Sequence, residues 1–192
     1  MVATKLDVFE ALGDGPSTAE NVARRCGTDP TATKLLLDTL VGCRYLTLDG
    51  TMYGLADVAR KWMLGDSPLS LHDATLHRYL DAWVLGHYED YVRTGRPLNL
   101  HEQMSTEQWG LYQRGQRSHA LLVAPEVARR VPVPKNPTAM LDVGGAHGYF
   151  SAAFCRRYPS LSSTILDLPE AIEQSAPILA ADGVNADVSA VD

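Results

Sequence analysis

Residues Met140 to Gly148 read MLDVGGAHG, and about twenty residues further on comes ILDLPEA, Ile165 to Ala171. Ala139, Met140, Leu141 and Val143 form a short apolar run, the mark of a strand buried on both faces. It ends in a glycine-rich turn, Gly144-Gly145-Ala146-His147-Gly148. A helical pattern follows, with Phe150, Ala153, Phe154 and Tyr158 at three- to four-residue spacing. Strand, turn and helix in this order bring bare backbone and a positively polarised helix start to one place, where a ligand can approach closely. A second apolar run, Ser163 to Leu166, delivers the carboxylate of Asp167 at its tip, the position that accepts from ribose hydroxyls in nucleotide-binding βαβ units. Crossover handedness then predicts that Asp167 lies beside the turn.

The dinucleotide pattern G-x-G-x-x-G does not fit, because from Gly144 its later glycine positions hold Ala146 and Tyr149. D-x-G-x-G-x-G fits from Asp142 to Gly148 with one departure, Ala146. LDVGGAHGYF followed by LDLPEAI resembles the class I S-adenosylmethionine-dependent O-methyltransferases, the family of plant caffeate-type and bacterial natural-product enzymes. Family members usually carry Gly where Ala146 stands, and a small hydroxyl or other variable residue at His147. The resemblance implies S-adenosylmethionine as cofactor, with Asp142, Gly144, Gly145, Gly148, Asp167 and Leu168 around it. The turn would pass beneath the methionine portion, Asp142 would stand near the amino group or fix the turn, Asp167 would accept from the ribose, and Leu168 would pack on the adenosine. His147 lies inside the turn, lining the pocket or facing solvent, and no catalysis is assigned to it.

A chain of 192 residues suits one large or two small domains. Its net charge of −6 argues against nucleic acid or an anionic membrane held by bulk electrostatics. Cys26, Cys43 and Cys155 are scattered, with no C-x-x-C pair, and read as small apolar residues in a reducing cytoplasm. No apolar run reaches membrane-span length, and the start lacks a signal-peptide pattern, so a soluble cytoplasmic protein is expected. The six histidines include no i, i+4 helical pair, and no metal site is expected.

Along the chain, Val2 to Leu12 reads as a helix that Gly13 to Pro16 breaks. Ser17 or Thr18 can cap a second helix through Cys26, with Glu20 placed for a capping box. A third helix opens at Asp29-Pro30, with a broad apolar face of Leu35, Leu36, Leu37, Leu40 and Val41. Tyr45 to Leu48 and Thr51 to Leu55 read as a hairpin around Asp49-Gly50, which completes a winged helix. Residues 1–64 carry seven basic against eight acidic side chains, and the would-be recognition helix sets Lys34 against Asp38. DNA binders need a basic footprint, so DNA binding is disfavoured. In the family a domain of similar layout is a dimerisation platform, which implies a homodimer.

Ser67 to Gly95 reads as a long helical region interrupted at Gly86, and its ending VRTGRP resembles the family's interdomain segment. Leu100 to Val131 is again helical, and the prolines of Val131 to Pro137 stiffen a linker. In the family the 100–131 segment walls the acceptor pocket, so Met104, Trp109 and Tyr112 are expected around a small aromatic hydroxyl substrate. Ordinary helix packing explains the same residues equally well. After Asp167 a helix from Glu170 to about Ala181, Asp182-Gly183 and a third apolar run, Val188 to Val191, are expected.

The expected fold is thus a mainly α winged-helix dimerisation domain (1–64), a helical connector with substrate-pocket helices (65–136), and the first half, about three parallel strands, of an α/β Rossmann-like methyltransferase domain (137–192). The family's general-base histidine and remaining strands would lie beyond Asp192, so no catalytic residue is assigned. On this reading the chain is the amino-terminal portion of an O-methyltransferase, inactive alone, with the first strand's far edge unpaired. Two alternatives are a same-fold hydroxylase or decarboxylase and a non-catalytic winged-helix dimerisation or regulatory module.

Overall fold

The structure is a computed structural model that describes residues 1–181 and 187–190. The chain divides into two compact units, 1–76 and 77–192.

In the first unit α1 (Val2–Lys5) is one turn, and Glu10–Leu12 forms a separate 3₁₀ turn. The single helix expected over Val2 to Leu12 is therefore broken. Asp7 takes a left-handed φ of 56°, which reorients the chain so that Val8, Phe9 and Leu12 are all buried. α2 (Ala19–Cys26) is capped by Thr18, whose hydroxyl accepts from the Asn21 N–H at 3.3 Å. With Thr18 as the cap, the third helical residue is Asn21 and not Glu20, so the expected capping box does not form. α3 (Pro30–Gly42) begins on the Asp29 carboxylate, which accepts from the Ala32 N–H at 2.8 Å, and has Pro30 where its missing N–H costs nothing. Its apolar face is narrower than expected, since Leu37 is fully buried while Leu35 is 65% exposed.

β1 (Leu46–Asp49) and β2 (Met52–Leu55) pair antiparallel, Leu46 opposite Leu55, around Gly50. Ser17 adds an isolated bridge to Tyr53. α4 (Asp57–Trp62), which the sequence reading did not anticipate, buries Ala59 in the same core as Val22, Leu37 and Tyr53.

Tyr53 links strand to helix: its hydroxyl donates to Asp38 at 2.6 Å, and Lys34 holds the other carboxylate oxygen at 2.7 Å. Lys34 first and Tyr53 second lower the Asp38 pKa. A depressed carboxylate pKa stabilises the fold above the ordinary carboxylate range, and that stabilisation is lost as pH falls through the folded-state value. Tyr53→Phe is therefore expected to lower Tm at neutral pH, with the gap from wild type narrowing as pH falls through the titration of Asp38. A gap that stays constant between pH 7 and pH 3 would refute this coupling.

The second unit starts within α5 (His72–Gly86), followed by α6 (Tyr88–Thr94) and the one-turn α7 (Leu100–Gln103). The helical region expected from Ser67 thus begins later, at His72, and breaks after Gly86 as expected. The long α8 (Thr106–Arg130) starts on a reciprocal capping box of Ser105 and Gln108, which separates it from α7 and splits the helix expected over Leu100 to Val131.

β3 (Ala139–Val143), α9 (Tyr149–Arg157), β4 (Ser162–Asp167), α10 (Pro169–Ala181) and β5 (Asp187–Ala190) follow in alternation. The three strands pair in parallel in the order β3-β4-β5, with Asp142 beside Ile165 and Asp167 beside Ala190. Asp182, Gly183 and Val191 lie outside the described residues.

β3 is not buried on both faces: Leu141 is 59% and Val143 71% exposed. Among the described residues it has a strand on one side only, and its Met140 face alone is covered, by α8 and α9 side chains including Ala124, Ala128, Ala153 and Phe154. No described helix is long and apolar enough to cross a membrane.

Candidate functional site

β3 and β4 end side by side, and the turn after β3 is tied to both. The Gly144 N–H donates to the Leu166 carbonyl at 2.7 Å, which continues the sheet by one residue. The Ala146 N–H donates to Asp167 Oδ2 at 2.7 Å, and the Leu168 N–H donates to Asp167 Oδ1 at 2.8 Å. Asp167 thus lies beside the turn and latches it to β4.

Two glycines in this turn are required for different reasons. Gly144 (φ 69°) has no protein atom within 4 Å of where a side chain would start, so bare left-handed backbone faces open space. Gly148 (φ 74°) caps α9, and a Cβ there would stand 2.7–2.9 Å from Ile165 and Leu179. Between them Gly145 covers Asp142, whose carboxylate would lie within 2.9 Å of any added Cβ.

Asp142 is held from below. Ser163 donates to Ser151 at 2.8 Å, and Ser151 donates to Asp142 Oδ2 at 2.6 Å, with both serines fully buried. Ser151→Ala would strand the Ser163 hydroxyl and remove a donor from Asp142. It is expected to cost about 1–3 kcal/mol of stability, measured by chemical denaturation; an unchanged midpoint would show that the relay contributes nothing.

A cavity of about 390 Å³ opens over the turn, a size ordinary for small-molecule sites. Asp142, Gly144, Gly145, Ala146 and His147 line it from below, and Tyr112, Gln116, His119, Ala120 and Val123 of α8 face them across it. Asp142 is the one carboxylate among these described lining residues. His147 is buried, and its Nδ1 accepts from the Tyr149 N–H at 3.0 Å, which fixes the ring in the helix start.

Of the expected site residues, Asp142, Gly144, Gly145 and Tyr112 reach the cavity directly. Gly148, Asp167 and Leu168 do not line it; Asp167 reaches it through Ala146, Gly148 shapes the helix start, and Leu168 is exposed at the end of β4. Met104 and Trp109 are buried in a cluster with Leu80 and Ala171, away from the lining. Trp109 stacks on His101 and meets the Tyr112 ring edge-on, so it supports Tyr112, the one of the three expected pocket residues that lines the cavity. His77 packs edge-on against Tyr112, and burial lowers its pKa, which keeps it neutral at physiological pH.

A profile of the O-methyltransferase domain matches residues 77–192, and one of the O-methyltransferase dimerisation domain matches residues 1–65. The chain belongs to the O-methyltransferase family. Among curated proteins, this O-methyltransferase-family chain is 29% identical over 185 residues to the bacteriochlorophyllide d C-20 methyltransferase of Chlorobaculum tepidum, covering 89% of the chain and 52% of that protein. It is 28% identical over 188 residues to acetylserotonin O-methyltransferase of Mus musculus, covering 87% of the chain and 48% of that enzyme. In fold it is similar to the crystal structure of human N-acetylserotonin methyltransferase in complex with SAM, with a TM-score of 0.84 and 22% identity. That likeness covers 100% of the chain and 60% of the human one. The chain spans about half the length of the curated relatives it matches.

Sequence reasoning missed Gln116, His119, Ala120, Val123 and Phe150 as lining residues. A Tyr112-Gln116-Ala120 spacing of four puts them on one helix face, but it does not say what that face meets.

Proposed function

We propose that this chain forms the dimerisation and cofactor-binding part of an S-adenosylmethionine-dependent O-methyltransferase that acts on a hydroxyl of a small aromatic or polyketide-type molecule. The observation that carries it is the bare, left-handed Gly144 backbone facing the cavity, beside an Asp167 carboxylate that already anchors the turn. These residues suit the cofactor: open backbone for close approach, Asp142 in the lining for a positively charged amino group, and lone pairs left on Asp167 for a diol. Bound there, S-adenosylmethionine supplies an electrophilic methyl group on its sulfonium.

The chain's own residues bind and orient. In this reading the Gly144–Gly148 turn underlies the methionine portion, Asp142 faces its amino group, Asp167 accepts from the ribose and Leu168 packs on the adenosine. Tyr112 walls the acceptor side, with Trp109 and Met104 behind it. Their contribution is orientation, which shortens the search for an in-line geometry. We assign no general base among the described residues.

Residues 1–64 are read as a winged-helix dimerisation domain, 65–136 as the connector and pocket helices, and 137–192 as the Rossmann-like part with its parallel strands. The match of residues 1–65 to a dimerisation domain supports a homodimer. The reading further takes the protein as cytoplasmic, with no nucleic-acid, membrane or metal partner.

The test pairs calorimetric titration of this chain with S-adenosylhomocysteine and, in an enzyme of the relatives' full length that carries it, transfer of an isotope-labelled methyl group to a panel of phenols. Saturable binding with label in a phenol ether is expected. Absence of binding, or phenol turnover without methyl incorporation, would overturn the proposal, the latter in favour of same-fold hydroxylation or decarboxylation.

A further inference from the structure

Ser175, on α10, is fully buried and does not line the cavity, yet its hydroxyl points back to the turn. It donates to the Ala146 carbonyl, and it also lies 2.8 Å from the Ala171 carbonyl one helical turn back. A serine hydroxyl has a single proton to share between these acceptors. Ala171 can accept from its own helix ladder, whereas among the described residues no backbone N–H donates to the Ala146 carbonyl. The tertiary contact is therefore where the hydroxyl is needed.

Ala146 needs the restraint. Its φ of 49° is left-handed, a conformation that costs a residue with a Cβ about 1–2 kcal/mol. Its N–H is held by Asp167 from β4 and its carbonyl by Ser175 from α10, one bond on each side of the Cα. Together they over-determine a strained residue at the cavity floor, which is how such conformations persist. We propose that Ser175 is a positioning residue for the cofactor turn: through the Ala146 carbonyl it holds the Ala146 N–H on Asp167 and so presets the Asp167 carboxylate for its ligand. The inference rests on the cofactor reading of the cavity.

The test is a double-mutant cycle on the dissociation constant of S-adenosylhomocysteine, with each protein well below its Tm. Ser175→Ala is expected to raise Kd roughly three- to tenfold, the worth of one hydrogen bond. In an Asp167→Ala background the same change is expected to alter Kd by less than about twofold, because the group it presets is already lost. Ala146→Gly added to Ser175→Ala is expected to recover most of the affinity, since glycine needs no restraint at that φ. Ser175→Cys, small and weakly donating, is expected to fall between wild type and alanine, and it carries the measurement if the alanine variant folds poorly.

Wild-type affinity in Ser175→Ala, or independent effects of the Ser175 and Asp167 changes, overturns this inference alone. A wild-type protein that does not bind S-adenosylhomocysteine overturns the cofactor reading, and this inference with it.

Discussion

Gly148→Ala is expected to be the most destabilising single substitution in the turn, lowering unfolding free energy by about 3 kcal/mol or more. Two costs add. The φ of 74° is strained for any residue with a Cβ, and the new methyl would stand 2.7–2.9 Å from Ile165 Cδ1 and both Leu179 methyls. Those contacts are side-chain ends, which elsewhere could move aside. Here Ile165 is completely buried and Leu179 is 3% exposed, so both are held by their own packing. For a chain of this length the change corresponds to a drop in Tm of roughly 6–12 °C. Gly144→Ala is the control: its φ is similarly left-handed at 69°, but the new methyl meets nothing within 4 Å. It should cost only about 1–2 kcal/mol. Equal Tm values for the two variants would mean that packing against Ile165 and Leu179 is not what makes Gly148 necessary.

Asp167→Ala is expected to raise the dissociation constant of S-adenosylhomocysteine roughly ten- to hundredfold, the scale of losing hydrogen bonds to a charged group. The structure adds a reason beyond direct contact. Asp167 receives the Ala146 and Leu168 N–H groups at 2.7 and 2.8 Å, so its removal also frees a strained turn. Asp167→Asn should lie between the two: its carbonyl oxygen can still accept one N–H, but its amide presents hydrogens where the carboxylate accepted the other. An unchanged Kd in the alanine variant, measured by calorimetry, would remove Asp167 from the binding site and leave it a purely structural latch.

Much of this protein is legible from local chemistry alone. The apolar run before Gly144, the glycines after it and the carboxylate at the tip of the next run announce a strand, a turn and a neighbouring acidic group, and the structure brings Asp167 onto the Ala146 N–H. Asp29-Pro30 starts α3, Asp49-Gly50 turns the hairpin and Gly86 ends α5, because caps and turns are decided by residues within a few positions of each other. The break at Asp7 was not legible, since nothing local forbids a helix through it. With the break, Ala3, Val8, Phe9, Ala11 and Leu12 are all buried, a set spread too widely around one continuous helix to face a single core.

The site divides along the same line. Periodicity marks Met104, Trp109 and Tyr112 as apolar and helical, yet only Tyr112 reaches the cavity, while Gln116 and His119, with no apolar signal, face it too. The exposure of Leu141 and Val143 likewise depends on which neighbours β3 has, and not on the residues within it. Ser151 and Ser175 are small, neutral and unremarked in the chain, and they become supports of Asp142 and Ala146 through contacts across 9 and 29 residues. Helix caps, turns and strand runs were set by short-range backbone chemistry that the sequence carries. Which carboxylate is buttressed, which aromatic lines the cavity and which serine holds the turn were decided only when distant faces packed, because a hydrogen bond depends on separation in space and not along the chain.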